Sequence, residues 1–159
     1  DEHAQSYVPP DLVEEVVLNS GRPVLILPYV GTFHEVGKSA LIAWSNAREA
    51  ARALNDALPL IEGGGTATIL SFSTTTEEAR SSCDEVVRHL ACHGIKAKSE
   101  IMLVGDIGIM DTLLNNAADL GSDLLVMGAH GHIGLPFVSR GAGTRYILRH
   151  MTVPVLMSN

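Results

Sequence analysis

The chain has 159 residues, enough for one domain with a little to spare, and carries a net charge of −7. That acidic balance argues against a general nucleic-acid binder, which needs clustered Lys and Arg against phosphates. No apolar run approaches the roughly 20 residues of a membrane span. Apolar residues make up 46% and aromatics 4%, the composition of an aliphatic, alanine-rich core in a sheet covered by helices. In chain order, Asp11 to Asn19 reads as an amphipathic helix, and Pro23 opens an apolar strand over Val24 to Leu27. Leu41 to Trp44 is a buried-strand run, and Asn46 is placed to cap the helix after it. That helix turns Ala47, Ala50, Ala51, Leu54, Leu58 and Ile61 inward and ends at Gly63-Gly64-Gly65. Thr66 to Phe72 is the next strand, and Thr75 with Glu78 forms a capping box for a helix facing the core through Ala79, Cys83, Val86, Val87 and Leu90. Residues 97–104 begin with polar–apolar alternation, as an edge strand does. Asp106 caps the following helix, whose inner face is Met110, Leu113, Leu114, Ala117 and Leu120. Leu124 to Met127 and Val153 to Met157 are the last two strands. Five strands joined by helical crossovers imply an α/β fold with a doubly wound parallel sheet and helices on both faces.

The two ends of the chain repeat. Set 131 positions apart, Val16-Val17 matches Ile147-Leu148, and Pro23-Val24-Leu25 matches Pro154-Val155-Leu156. Residues 1–30 therefore read as the closing helix and strand of a preceding copy, 31–37 as a linker, and 38–159 as one domain. An ordinary N-terminal extension is the competing reading. Cys83 and Cys92 show no metal-ligand spacing and read as buried or half-buried thiols. With no visible signal peptide, they point to a reducing, cytoplasmic compartment.

The densest chemistry lies between Asp123 and Leu148. The strand Leu124 to Met127 ends in Gly128-Ala129-His130-Gly131, and Gly141-Ala142-Gly143-Thr144 then opens a helix. Glycines let backbone N–H groups approach a ligand, and a helix start attracts anions. The charge agrees: residues 121–159 hold Arg140, Arg145 and Arg149 against Asp123 alone. Glycines that merely permit turns are the bland alternative. Gly31 to Gly37-Lys38-Ser39 approaches a P-loop, but five residues separate its glycines and a strand follows, so that motif is rejected. His130 and His132 have no obvious third partner and read as solvent- or ligand-facing donors, not as a metal centre. His34-Glu35 reads as a solvated turn. No nucleophile with its base is recognisable.

The spacing G-x2-G-x9-G after a Met-Gly strand end resembles the nucleotide loop of the universal stress protein family. Ala40 to Trp44 followed by Arg48-Glu49-Ala50, Asn115 to Asp123, and Val153-Pro154-Val155-Leu156 are also similar to that family, so the resemblance covers residues 38–159. It implies strand order 3-2-1-4-5 and a ligand at the carboxyl ends beside the switch point. The implied site comprises Ala43, Trp44, Ser45, Met127, Gly128, His130, Gly131, His132, Arg140, Gly141, Ala142, Gly143 and Thr144. The implied ligand is ATP or ADP, with or without magnesium, and the implied assembly is a homodimer through last-strand pairing. Two positions depart from the family pattern: Ser45 stands where nucleotide-binding members usually carry Asp, and Ala142 where they usually carry Ser or Thr. The expected function is a stress-response nucleotide-binding module without catalysis, signalling through partner contacts. A nucleotide-free interaction scaffold and a weak ATP hydrolase are the alternatives.

Overall fold

Alternation along the strands sorts the core into two layers. The structure is a computed structural model that describes residue 9 and residues 11–61, 63–74, 76–103, 108–129 and 141–159. Its elements run α1 (Leu12–Asn19), β1 (Val24–Ile26), β2 (Ser39–Trp44), α2 (Arg48–Ile61), β3 (Thr66–Ser73), α3 (Thr76–Cys92), β4 (Lys96–Leu103), α4 (Ile109–Asp119), β5 (Leu124–Gly128), α5 (Ala142–His150) and β6 (Val155–Ser158). Along β2, Ala40 and Ile42 point into one layer with α2 and α3, while Leu41 points into the other with α1, α4 and α5. Along β5, Leu124 and Val126 join the first layer and Leu125 and Met127 the second. A strand covered on both faces loses the polar alternation of an exposed sheet, which is why these strands read as unbroken apolar runs.

The sheet order is β1-β6-β5-β2-β3-β4. The five strands of the domain thus stand in the order 3-2-1-4-5, all parallel, with β4 at one edge. The sheet as a whole is mixed and six-stranded, because the N-terminal strand joins it: β1 pairs antiparallel with β6, Val24 facing Met157 and Ile26 facing Val155. The helix before it is anchored by Val17, which is 1% exposed in the layer that holds Ile147 and Met157.

Several local expectations are corrected. Asn46 does not cap α2; it precedes Ala47, whose carbonyl accepts from Ala51 N–H at 3.0 Å, and it takes a left-handed conformation with φ 52. Asn tolerates that region because its short amide bonds the local backbone. The inner face of α2 uses Ala53 and Ala57 where Ala47 and Ala51 were expected. Gly108 occupies the N-cap position of α4; Asp106 lies outside the described residues, as does Thr75 of the capping box. Cys83 is buried as expected, but Cys92 is exposed. Among the described residues no helix is long and apolar enough to cross a membrane.

Candidate functional site

β2 is the switch point of the sheet, with β3 on one side and β5 on the other. Ile42 faces Val126 across β2 and β5, so the two carboxyl ends reach the same level. There Ala43, Trp44, Ser45, Met127 and Gly128, together with Phe72 and Met110, line one narrow slot of ≈20 Å³. Trp44 and Ser45 also border a second, polar cleft of ≈210 Å³, together with Asn46, Ser73 and Glu78. The indole N–H of Trp44 donates to Ser82 Oγ at 2.8 Å, which fixes the ring against α3. Five of the implied site residues therefore meet where ligands bind in doubly wound sheets.

Gly128 has a packing role at this point. A Cβ added there would stand 2.7 Å from Ala50 N and Glu49 C, so the missing side chain is what lets the start of α2 lie on the end of β5. Beyond the loop, Gly141 is the N-cap of α5 with φ 83, a left-handed turn that glycine adopts without strain. Its carbonyl accepts from Arg145 N–H at 2.9 Å. Ala142 and Gly143 are half-buried in the first turn of α5, and Thr144 is buried at 2% exposure. His130, Gly131, His132 and Arg140 lie outside the described residues.

One of the cations expected to serve the loop is engaged elsewhere. Arg145 does not face the strand ends; its Nη1 pairs with Glu14 Oε1 at 2.9 Å. Tyr146 turns to the neighbouring helix, where its hydroxyl donates to Asp111 Oδ1 and its ring stacks on His150. The Asp111 carboxylate accepting that proton raises the Tyr146 phenol above its ordinary value. A larger cavity, ≈860 Å³, opens between α1, residues 26–30 and α5, away from the strand ends. Size alone does not make it the site: the strand ends at the switch point carry the converging residues. Among the described residues no three His, Cys, Asp or Glu side chains gather as metal ligands would.

One structural carboxylate was not singled out by the sequence. Asp123 accepts hydrogen bonds from the backbone N–H groups of Gly37, Lys38 and Ser39 at 3.0, 2.9 and 3.0 Å. The near-P-loop at Gly37-Lys38-Ser39 is thus an anion nest after all, but its anion is the chain's own carboxylate at the amino end of the sheet. Just ahead of this nest, Val36 packs on the core.

A mostly parallel, doubly wound α/β sheet, with residues from two strand ends gathered at its switch point, sets the class of fold. Residues 65–159 match the universal stress protein family, and the chain belongs to that family. It is 30% identical over 83 residues to the universal stress protein MJ0577 of Methanocaldococcus jannaschii, a match spanning 52% of this chain and 49% of that one, about half the relative's length. The solved structure of MJ0577 superposes with TM-score 0.66 at 22% identity, covering 77% of this chain and 96% of that one. A universal stress protein from Archaeoglobus fulgidus DSM 4304 gives 0.72 at 18% identity, covering 96% of this chain and 56% of that one. A universal stress protein from Archaeoglobus fulgidus in complex with dAMP gives 0.55 at 16% identity, covering 80% of this chain and all (100%) of the other. At these identities the likeness is one of fold.

Proposed function

We propose that this chain is a non-catalytic adenine-nucleotide-binding module that takes ATP or ADP at the switch point and signals through contacts with partners. The observation that carries the reading is the meeting of Ala43, Trp44, Ser45, Met127 and Gly128 at the carboxyl ends of β2 and β5, beside the switch point. The related structure holding dAMP supports it. Backbone donors do not depend on side-chain identity, so Ser45 and Ala142 weaken the site without removing it. Each missing contact is worth about 1–2 kcal/mol, on the order of tenfold in Kd. Calorimetry at millimolar ATP, with and without magnesium, is expected to give saturable heat, tightened by Ala142→Ser. Absence of such heat in both the wild type and the Ser45→Asp/Ala142→Ser variant overturns the reading. Phosphate release above a no-protein blank would revive the hydrolase alternative.

The scaffold alternative has one observation in its favour: Arg145 is engaged by Glu14 instead of being held toward the strand ends. The same calorimetry decides between the two readings.

The tail α1–β1 is, on this reading, the closing helix and strand of a preceding copy in a tandem chain. On the same reading, its antiparallel pairing with β6 supplies within one chain the last-strand contact that the family resemblance implies between copies. The Archaeoglobus chain of which this one covers 56% matches 96% of it, whereas MJ0577 matches 77%, as a structure with the domain but not the tail would. Hydrogen exchange on the wild type is expected to show the paired amides of β1 protected; free exchange there ends the tail reading.

A further inference from the structure

The tail and the domain meet about a local twofold axis. Residues 11–28 repeat residues 142–159 at an offset of 131. In the β1–β6 ladder Leu25 faces Leu156, its own counterpart, while Val24 faces Met157 and Ile26 faces Val155. Each flanking residue therefore faces the counterpart of the other, the register that a twofold through the Leu25–Leu156 pair imposes. The helices supply a second point on that axis. Glu14 and Arg145 are again counterparts, separated by 131, and their side chains meet at 2.9 Å. The signs differ along both helices: Asp11, Glu14 and Glu15 mark the tail helix with no basic residue, while α5 carries Arg145, Arg149 and His150 with no acidic one.

We propose that the Glu14–Arg145 contact is a partner selector, which matches the β6 edge to an acidic tail and sets it against a second copy of the basic α5. The proposal rests on the reading of α1–β1 as a repeat tail. In an isologous pairing of two domains through β6, a residue on the axis meets itself, so no charge placed at 145 can be complementary. Two Arg145 guanidinium groups would converge, backed by two basic helices. Only a partner that is similar in backbone and different in sequence can put opposite charges on the axis. Strand pairing supplies no such discrimination, because Leu25 and Leu156 are identical and their neighbours are all apolar. The Arg145 side chain is 46% exposed, so the pair adds little absolute affinity; its effect lies in the difference between right and wrong partners.

Charge reversal in the full chain tests this. Glu14→Arg turns the tail into a stand-in for a second α5 at the axis, and Arg145→Glu sets acid against acid. Each is expected to speed exchange of the β1 amides about three- to tenfold at low salt. The difference should shrink in 1 M NaCl, where the screening length is about 3 Å. The double reversal Glu14→Arg/Arg145→Glu is expected to return the wild-type rate. Single variants that exchange like wild type, or a double variant as fast as the singles, overturn the selector while leaving the tail reading intact. Unprotected β1 in the wild type would instead remove the tail reading itself.

Discussion

At the scale of single residues, two contacts carry more of the structure than their chemistry suggests. Gly128 sits under the first turn of α2, where an added Cβ meets backbone atoms at 2.7 Å. Backbone cannot swing aside as a flexible side chain can, so Gly128→Ala is expected to destabilise by about 1–3 kcal/mol, the range of overpacked cores. A urea midpoint equal to wild type would contradict this. Asp123 gathers three N–H donors ahead of β2. Asp123→Ala leaves those donors without their acceptor and is expected to cost about 1–3 kcal/mol. Asp123→Asn, which keeps one acceptor oxygen, should lie between the two in thermal melting. Neither role is written locally in the sequence. Gly128 looks like a loop glycine until α2 is folded over it, and Asp123 finds its donors 84 to 86 positions away.

At the scale of elements, patterning was legible and termini were not. The inner strands β2 and β5 were recognisable because burial on both faces demands apolar runs, and β4 because an edge strand alternates polar with apolar residues. The face of α3 was recognisable because Cys83, Val86 and Leu90 recur at helical spacing, and all three are buried. The face of α2 was harder to read because alanine fills both sides, so pattern alone cannot choose Ala53 and Ala57 over Ala47 and Ala51. Cys92 was misplaced for a geometric reason: nine residues at about 3.6 per turn is two and a half turns, which sets it opposite Cys83. A thiol reagent is therefore expected to label Cys92 at once and Cys83 only on unfolding; two thiols reacting together in the native protein would be the contrary result. Burial also pushes the Cys83 thiol above its ordinary value of 9.0. The unfolded chain then loses this proton first as pH rises, so the stability present at neutral pH declines above about pH 9 and continues to fall until the folded thiol ionises. Urea midpoints measured from pH 8 to 10.5 should fall less steeply for Cys83→Ala than for wild type.

At the scale of the whole molecule, the domain order 3-2-1-4-5 came from family resemblance, since alternation identifies strands but not neighbours. The site was legible only in part. The strand ends that form the slot follow from topology, whereas the engagement of Arg145 by Glu14 required knowing what lay beside α5. The tail also shows an imbalance of burial. Val16 and Leu25 are each 41% exposed, yet their repeat counterparts Ile147 and Leu156 are 0% and 3% exposed. Those tail positions have the composition of a core face with no layer over them. The domain holds two buried layers, while the described residues of the tail supply one fully buried side chain, Val17, the half-buried Val24 and Ile26, three strand pairs, the Glu14–Arg145 pair and a hydrogen bond from Asn159 Nδ2 to Leu18 O. Burying one such side chain is worth about 1.5–3 kcal/mol, against an ordering cost that each tail residue bears. The tail is therefore expected to open before the domain unfolds. Native-state hydrogen exchange in low urea should show β1 amides exchanging through a sub-global opening with a small dependence on denaturant, and the β2 and β5 amides only through global unfolding. If β1 and β5 instead share one free energy and one slope, tail and domain form a single cooperative unit and the repeat boundary has no energetic counterpart.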